Sequence, residues 1–347
     1  MTKKIQCGRI SIGGGAAVSV QSMTNTDTRD VEATLAQIRA IHLSGADIVR
    51  VSVFDEACAE AVRELVDGSP APLVADVHFD HRLAVRAAEN GISKLRVNPG
   101  NIGGQRNVER VAHAARAHGI PIRIGVNSGS VERDLLDKYG GPTPEAMVDS
   151  ALSHAKMLED AGFDDIVIAI KSSAAGHTVQ ANRLLARACG YPLHLGVTEA
   201  GLPGRGTIKS AIGIGALLLD GIGDTIRVSL AGDPALEAPA GIEILRALGL
   251  RGVDVVACPT CGRTSIDVVG IAQVIAERTA DWAENIRVAV MGCVVNGPGE
   301  AREADIGIAG GKSGSVLIKR GEAQRKIDGD PLPVLLRELN GLRKEIQ

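Results

Sequence analysis

The sequence predicts an α/β fold: a (β/α)₈ TIM barrel followed by a small α+β domain. Three observations carry that prediction. Between residues 18 and 230, short Val- and Ile-rich runs alternate eight times with Ala-rich helical stretches. Most of the runs are apolar throughout, as parallel strands buried on both faces must be. The 347 residues exceed what one core usually organises, so a second domain is expected after the barrel.

The eight predicted strands are Val18–Ser22, Asp47–Val53, Leu73–Val77, Lys94–Asn98, Pro121–Val126, Ile166–Ile170, Leu193–Val197 and Thr225–Leu230. Helical patterns fill the intervals, among them Val31–Leu43, Glu56–Val66, Leu83–Asn90, Asn107–His118, Pro144–Ala161 and Val179–Cys189. Several stop at a glycine (Gly45, Gly91, Gly119, Gly162, Gly190), where a left-handed residue closes the last turn. An open doubly wound sheet is the alternative. Its glycine fingerprint follows the first strand, whereas Gly13-Gly14-Gly15 precedes it here. Residues 1–240 are assigned to the barrel. The stretch AGDPALEAPAG after Leu230 reads as a linker or a short connection, and residues 251–347 form the second domain.

Composition narrows the function. Six aromatic residues leave few stacking platforms for single-stranded nucleic acid, and a net charge of −3 attracts neither phosphate polymers nor anionic membranes. The chain carries no apolar run long enough for a membrane span and no signal-peptide core at MTKKIQCGRI, so a cytoplasmic protein is expected. Its six cysteines are then expected as reduced thiols or metal ligands.

Active sites of such barrels form at the C-terminal ends of the strands. Those ends read Gln21 and Ser22; Arg50; Asp76 and His78; Arg96 and Asn98; Arg123 and Asn127; Lys171; Glu199; and Arg227 with Ser229. Arg96 and Asn98, Arg123 and Asn127, and Arg227 and Ser229 share strand faces by parity. Four arginines and a lysine converging on one mouth repel each other unless an anion joins them. A substrate with two phosphates meets that need through charge-assisted hydrogen bonds. A structural network with Asp76, Glu199 or other carboxylates is the competing reading. Gly204-Arg205-Gly206-Thr207-Ile208-Lys209-Ser210 adds a Gly-rich turn into a helix that can cradle phosphate. Glu199 is the stronger acid–base candidate, ahead of His78 and His194.

In the second domain Cys258-Pro-Thr-Cys261 and Cys293-Val-Val-Asn-Gly-Pro-Gly-Glu300 bring three thiols and a carboxylate. A structural zinc site normally needs four Cys or His ligands, yet no histidine follows residue 250. Three thiolates suit an iron–sulfur cluster with one replaceable ligand, and the spacing favours that over zinc. Zinc would recruit a carboxylate or a barrel cysteine. A zinc-stabilised aldolase with Lys171 as Schiff-base nucleophile, and an iron–sulfur scaffold without catalysis, are the rival functions.

Motifs along nearly the whole chain resemble those of the bacterial 4-hydroxy-3-methylbut-2-enyl diphosphate synthases. They are IGGGAAVSVQSMTNTDT, DIVRVSV, ADVHFD, KLRVNPGN, IRIGVNSGS, HLGVTEAG with GRGTIKSAIGIG, IRVSL, CPTCGRT and GCVVNGPGE. The resemblance implies a TIM barrel and an iron–sulfur domain like those of sulfite and nitrite reductases. It also implies a 4Fe–4S cluster on Cys258, Cys261, Cys293 and Glu300, with Glu300 a ligand able to leave. The implied reaction is two-electron ring opening and dehydration of 2-C-methyl-D-erythritol 2,4-cyclodiphosphate in isoprenoid biosynthesis. Carried over by motif, Arg50, Asp76, Arg96, Asn98, Arg123, Asn127, Lys171 and Ser229 bind substrate, and Glu199 is a proton donor. Flavodoxin or ferredoxin would supply electrons, and the enzyme would be a head-to-tail homodimer.

Overall fold

The computed structural model describes residues 1–346, and its backbone contacts divide the chain into Met1–Ile244 and a unit from Leu245 onward. In the first unit eight parallel strands close on themselves. They are Ser19–Met23, Ile48–Val53, Leu73–Val77, Lys94–Val97, Ile122–Asn127, Ile166–Lys171, His194–Leu195 and Thr225–Ile226. The eighth strand lies between the first and the seventh, and an Ile168–Leu193 bridge joins the sixth to the seventh. The last two strands form ladders of only two residues, because Gly196 and the polar mouth residues that follow leave the sheet early.

Sequence and structure agree most closely where a capping side chain and an apolar face coincide. Helix Val31–Leu43 starts at Asp30, which accepts from the Ala33 N–H, and buries Thr34, Ile38 and Ile41. Asp55 and Asp80 cap the next two helices in the same way. Three elements were not foreseen. A hairpin, Ile5–Cys7 with Ile10–Ile12, packs Cys7 and Ile12 against Ile48 and Val74. Arg133–Tyr139 forms a short helix. The expected linker is the third: Pro234–Leu236 is a 3₁₀ turn and Glu237–Ala247 an α-helix. Pro239 stands in the first turn of that helix, where its missing N–H costs nothing.

The second unit holds a five-stranded sheet in the order Val253–Ala257, Ile286–Met291, Ile306–Ala309, Ser315–Lys319, Glu322–Ile327. The first three strands are parallel and the last two antiparallel. Helices Val268–Arg278 and Leu332–Ile346 contribute Ile271, Ile275, Leu335, Leu339 and Leu342 to its core, beside Trp282. Among the described residues, no helix is long and apolar enough to cross a membrane.

Candidate active site and candidate metal centre

The barrel interior departs from the usual apolar filling. Inward positions carry Ser19, Gln21, Arg50, Asp76, Lys94, Arg96, Arg123, Lys171, His194, Thr225 and Arg227, so the core is polar from floor to mouth. At the strand C-termini these open into a cavity of about 170 Å³. It is lined by Arg50, Asp76, Arg96, Arg123, Asn127, Lys171 and Ser229, together with His78, Thr198 and Arg227.

Two carboxylates organise the cations. Asp76 accepts from Arg96 at 2.9 Å, and stands 3.8 Å from Arg50 and 3.5 Å from His78. His78 also contacts Arg96 closely. Burial alone would raise the Asp76 pKa; Arg50, His78 and Arg96 instead hold it well below the carboxylate range. Glu237 is the second carboxylate. It accepts from Arg227 Nε at 2.9 Å and Nη2 at 3.0 Å, from Ser22 Oγ at 2.8 Å and from the Leu230 N–H. The sequence reading missed it, since it lies in the stretch taken for a linker.

Among the described residues, Arg123 and Lys171 form no ion pair with either carboxylate, and Arg50 stands only at the edge of Asp76. Arg123 is 1% exposed, and its Nε and one terminal nitrogen have no protein partner. Burial, then Arg50 and Arg96, push its pKa far down. Lys171 is lowered well below its ordinary value by burial, then by Arg123, Arg227 and Arg50. Burial pushes Arg50 down to about 10. Glycines make the room: a Cβ at Gly125 would stand 2.5 Å from Arg96 Nε, and one at Gly196 would stand 2.7 Å from Lys171 Nζ. A doubly charged anion entering this cavity replaces mutual repulsion with charge-assisted hydrogen bonds.

Two expected site residues lie outside this lining. Asn98 is buried, and its Oδ1 accepts the Gly100 N–H to cap the Pro99–Asn101 turn. Glu199 is exposed on the loop after the seventh strand, at a backbone φ of +50°. Residues Gly204–Ser210 open the helix Arg205–Leu219 and do not line the cavity. His78, Thr198 and Arg227 are the polar lining residues outside the expected set, beside Gly125 and Ala169. Arg227 and His78 were visible as strand-end residues; Thr198 differs from Glu199 only in parity.

In the second unit, two adjacent parallel strands end at the cysteines. Val253–Ala257 runs into Cys258, and Ile286–Met291 into Gly292-Cys293. Cys258, Cys261, Cys293 and Glu300 line one cavity of about 380 Å³, with Arg263 and Asn296 beside them. The Gly292 N–H donates to Cys258 Sγ at 3.2 Å. N–H groups of Val295 and Asn296 and the Arg263 side chain favour the Cys293 thiolate and lower its pKa. Glu300 lies in the short helix Gly297–Arg302, whose close packing needs Gly297: a Cβ there would meet Met291 and Ala309 at about 3 Å.

Among the described residues, no three His, Cys, Asp or Glu side chains are poised around a single metal ion. Ligands of a polynuclear cluster bind different irons, so they stand farther apart than ligands of one ion. The donor set of thiols and one carboxylate, with backbone N–H groups turned to sulfur, fits an iron–sulfur cluster. Cys7 and Cys58 are fully buried and Cys189 is half-buried, away from both cavities.

Comparison with known proteins covers both units. The GcpE TIM-barrel domain matches residues 2–242, and the GcpE protein C-terminal domain matches residues 254–340. A Clostridium perfringens protein named 4-hydroxy-3-methylbut-2-en-1-yl diphosphate synthase (flavodoxin) is 56% identical over 333 residues, 95% of each chain. One of the same name from Geobacter sulfurreducens is 54% identical over 347 residues, 99% of this chain and 98% of its own. Two solved barrels share the fold alone. N-acetylneuraminic acid synthetase from Leptospira borgpetersenii gives a TM-score of 0.53 at 12% identity, covering 80% of this chain and 97% of its own. Type I 3-dehydroquinate dehydratase from Clostridium difficile gives 0.52 at 15% identity, covering 72% and 98%.

Proposed function

From the premise that this chain belongs to the GcpE family in both of its units, we propose that it converts 2-C-methyl-D-erythritol 2,4-cyclodiphosphate to 4-hydroxy-3-methylbut-2-enyl diphosphate. The reaction is an oxidoreduction of isoprenoid biosynthesis. One C–O bond to the diphosphate and one C–OH bond break, two electrons enter, a C=C bond forms, and one oxygen leaves as water. The observation that carries the reading is the cation-lined cavity in the same chain as a cavity holding three thiols and a carboxylate.

The residues divide the work. Arg123 and Lys171, buried and short of counter-charge, take the phosphate oxygens together with Arg50 and Arg96. Asp76 and Glu237 fix Arg96 and Arg227 in place, so little side-chain entropy is lost when substrate arrives. Asn127 and Ser229 offer neutral hydrogen bonds at the rim. Asn98 supports the site by shaping the Pro99–Asn101 turn. Glu199, on its exposed loop, supplies a proton once that loop folds over bound substrate.

Cys258, Cys261 and Cys293 hold a 4Fe–4S cluster, with Glu300 as a fourth, exchangeable ligand. When bound, the cluster supplies single electrons and a Lewis-acidic iron. Flavodoxin, which the relatives' names carry, is the electron donor in this reading, with ferredoxin as an alternative. The chain acts as a homodimer in the cytoplasm.

The test is anaerobic purification followed by iron and sulfide analysis and turnover of the cyclodiphosphate with reduced flavodoxin or dithionite and a mediator. A brown, air-sensitive protein that forms the linear diphosphate is expected. A colourless, zinc-containing protein with aldolase activity would overturn the reading.

A further inference from the structure

Lys171 ends the sixth strand of the barrel, beside the seventh strand, whose ladder is only two residues long. Backbone groups of a parallel strand alternate between its two neighbours, so Ile168, Ile170 and Ser172 present theirs to the seventh strand. The Ile168 N–H donates to the Pro192 C=O at 3.0 Å, and the Ser172 C=O accepts from the Thr198 N–H at 3.2 Å. Regular pairing on this side amounts to the Ile168–Leu193 bridge. On the other side Lys171 is paired in register with Asn127.

Two side chains of the helix Ala175–Ala188 supply further ties at this edge. Asn182 Nδ2 donates to the Ile170 C=O at 3.0 Å and to the Thr178 C=O at 2.8 Å. Thr178 Oγ1 accepts from the Ser172 N–H and donates to the Ser172 C=O, both at 3.1 Å. The residues on either side of Lys171 are therefore held by two side chains four apart on one helix face. Thr178 and Asn182 are each 0% exposed. They share the buried face of the helix with Val179, Ala181 and Leu185, where an amphipathic helix ordinarily puts apolar groups. Asn182 Oδ1 is buried without a protein partner, a desolvation cost that a leucine there would not carry.

What these ties hold is the least compensated part of the cavity. Lys171 Nζ lies against Gly196, where a Cβ would stand 2.7 Å from it. Burial, then Arg123, Arg227 and Arg50, lower the Lys171 pKa, and Glu237 opposes that shift. Like charges crowded around about 170 Å³ push one another outward, and a strand edge with one bridge is the part of the wall that yields most easily. The Ser172 C=O also anchors Thr198, which lines the cavity next to Glu199.

We propose that Thr178 and Asn182 are positioning residues for substrate binding: they clamp the backbone on both sides of Lys171 and hold its ammonium in the cavity against the neighbouring arginines. This deepens the proposed function and rests on its assignment of Lys171 to the phosphate oxygens. Neither residue lines the cavity, so both act through Lys171. A cation fixed before substrate arrives loses little freedom on binding, which is where the gain in affinity comes from.

The experiment compares wild type, Thr178→Val, Thr178→Ser and Asn182→Leu. Valine matches threonine in shape without its hydroxyl, whereas serine keeps the hydroxyl. In cluster-loaded enzyme, Thr178→Val and Asn182→Leu should each raise KM for the cyclodiphosphate about tenfold with kcat and iron content little changed. Thr178→Ser should stay within about twofold of wild type. Calorimetric titration of cluster-free protein with inorganic pyrophosphate gives a readout free of the chemistry, and Kd should rise in the same two variants by a similar factor. In a Lys171→Met background the same substitutions should weaken pyrophosphate binding no further, because the ammonium they position is gone. Wild-type pyrophosphate affinity in Thr178→Val and Asn182→Leu overturns the proposal, as does a serine variant as poor as the valine one. Losses that add fully to that of Lys171→Met overturn it too, since they then act by another route. If one of the two variants does not fold, the other decides; if neither folds, the pair serves the fold itself and the proposal falls. A wild type that binds pyrophosphate but does not turn over the cyclodiphosphate counts against the proposed reaction instead, and the titrations still decide the clamp.

Discussion

Replacing Lys94 by methionine should make the barrel more stable, and the gain should depend on pH. Lys94 is fully buried, and its Nζ lacks a protein partner. Its pKa falls from an ordinary 10.5 to about 8, with burial as the largest cause. At about 1.4 kcal/mol per pH unit, that fall puts the cost of keeping the charge inside at about 3 kcal/mol. The cost is full below about pH 8, where folded and unfolded chains are both protonated. It shrinks as pH rises toward 10.5, because the folded protein gives up the proton first. Methionine keeps the unbranched shape and carries no charge. For a unit of this size, about 3 kcal/mol corresponds to roughly 6–12 °C in Tm at pH 7. The assay is thermal or urea unfolding of cluster-free protein at neutral and alkaline pH, following the barrel transition. A difference that does not narrow between pH 7 and about pH 10, or a less stable variant, would refute the argument that an uncompensated ammonium is stored in the core.

Asp76→Asn removes the carboxylate that holds Arg50, Arg96 and His78, and should destabilise the barrel by about 3–5 kcal/mol in urea melts. Because the Asp76 pKa is held far down, that loss should be constant from neutral pH to just above its ordinary 3.8 and shrink progressively below it, as the unfolded chain takes up the proton first; a loss that has already vanished by about pH 4 would count against it. Gly125→Ala places a methyl where Arg96 Nε now lies 2.5 Å away, so Arg96 must shift; KM for the cyclodiphosphate should rise while iron content stays normal, and an unchanged KM would remove Arg96 from the binding set. Cys261→Ser should leave the circular dichroism of the protein intact, since Cys261 is exposed, but should abolish full iron loading; a complete cluster in that variant would exclude it as a ligand. Glu300→Ala should retain a cluster and impair turnover, and unchanged kinetics would remove its assigned role.

The barrel was legible because its strands and helices announce themselves locally. Asp30, Asp55 and Asp80 cap helices that start at Val31, Glu56 and His81, the first two where the sequence pattern begins and the third two residues earlier, and the Val- and Ile-rich runs are buried strands. Parity put Arg96 with Asn98, Arg123 with Asn127 and Arg227 with Ser229 on shared strand faces; all of these line the cavity except Asn98, which caps the Pro99–Asn101 turn. The C-x₂-C turn and the later Cys293 were equally local signals, and the fold puts them on one cavity.

Other features required the chain to close. Glu237 lies 215 residues from Ser22, beyond the reach of any local motif, yet its carboxylate meets Ser22 and Arg227 because the eighth strand returns beside the first. Lys94 and His194 occupy ordinary strand positions, one in a run of Leu and Val and one beside Leu195. Only when eight strands wrap around them do both become buried, with His194 paired in register with Thr225 and Lys94 with Val74. Sequence period decides which way a side chain points relative to its own strand. What stands opposite it, and whether water or a counter-charge reaches it, is set by contacts between segments far apart in the chain. That is why the residue types lining both cavities could be read from the sequence, while the charge balance of the barrel interior belonged to the tertiary structure.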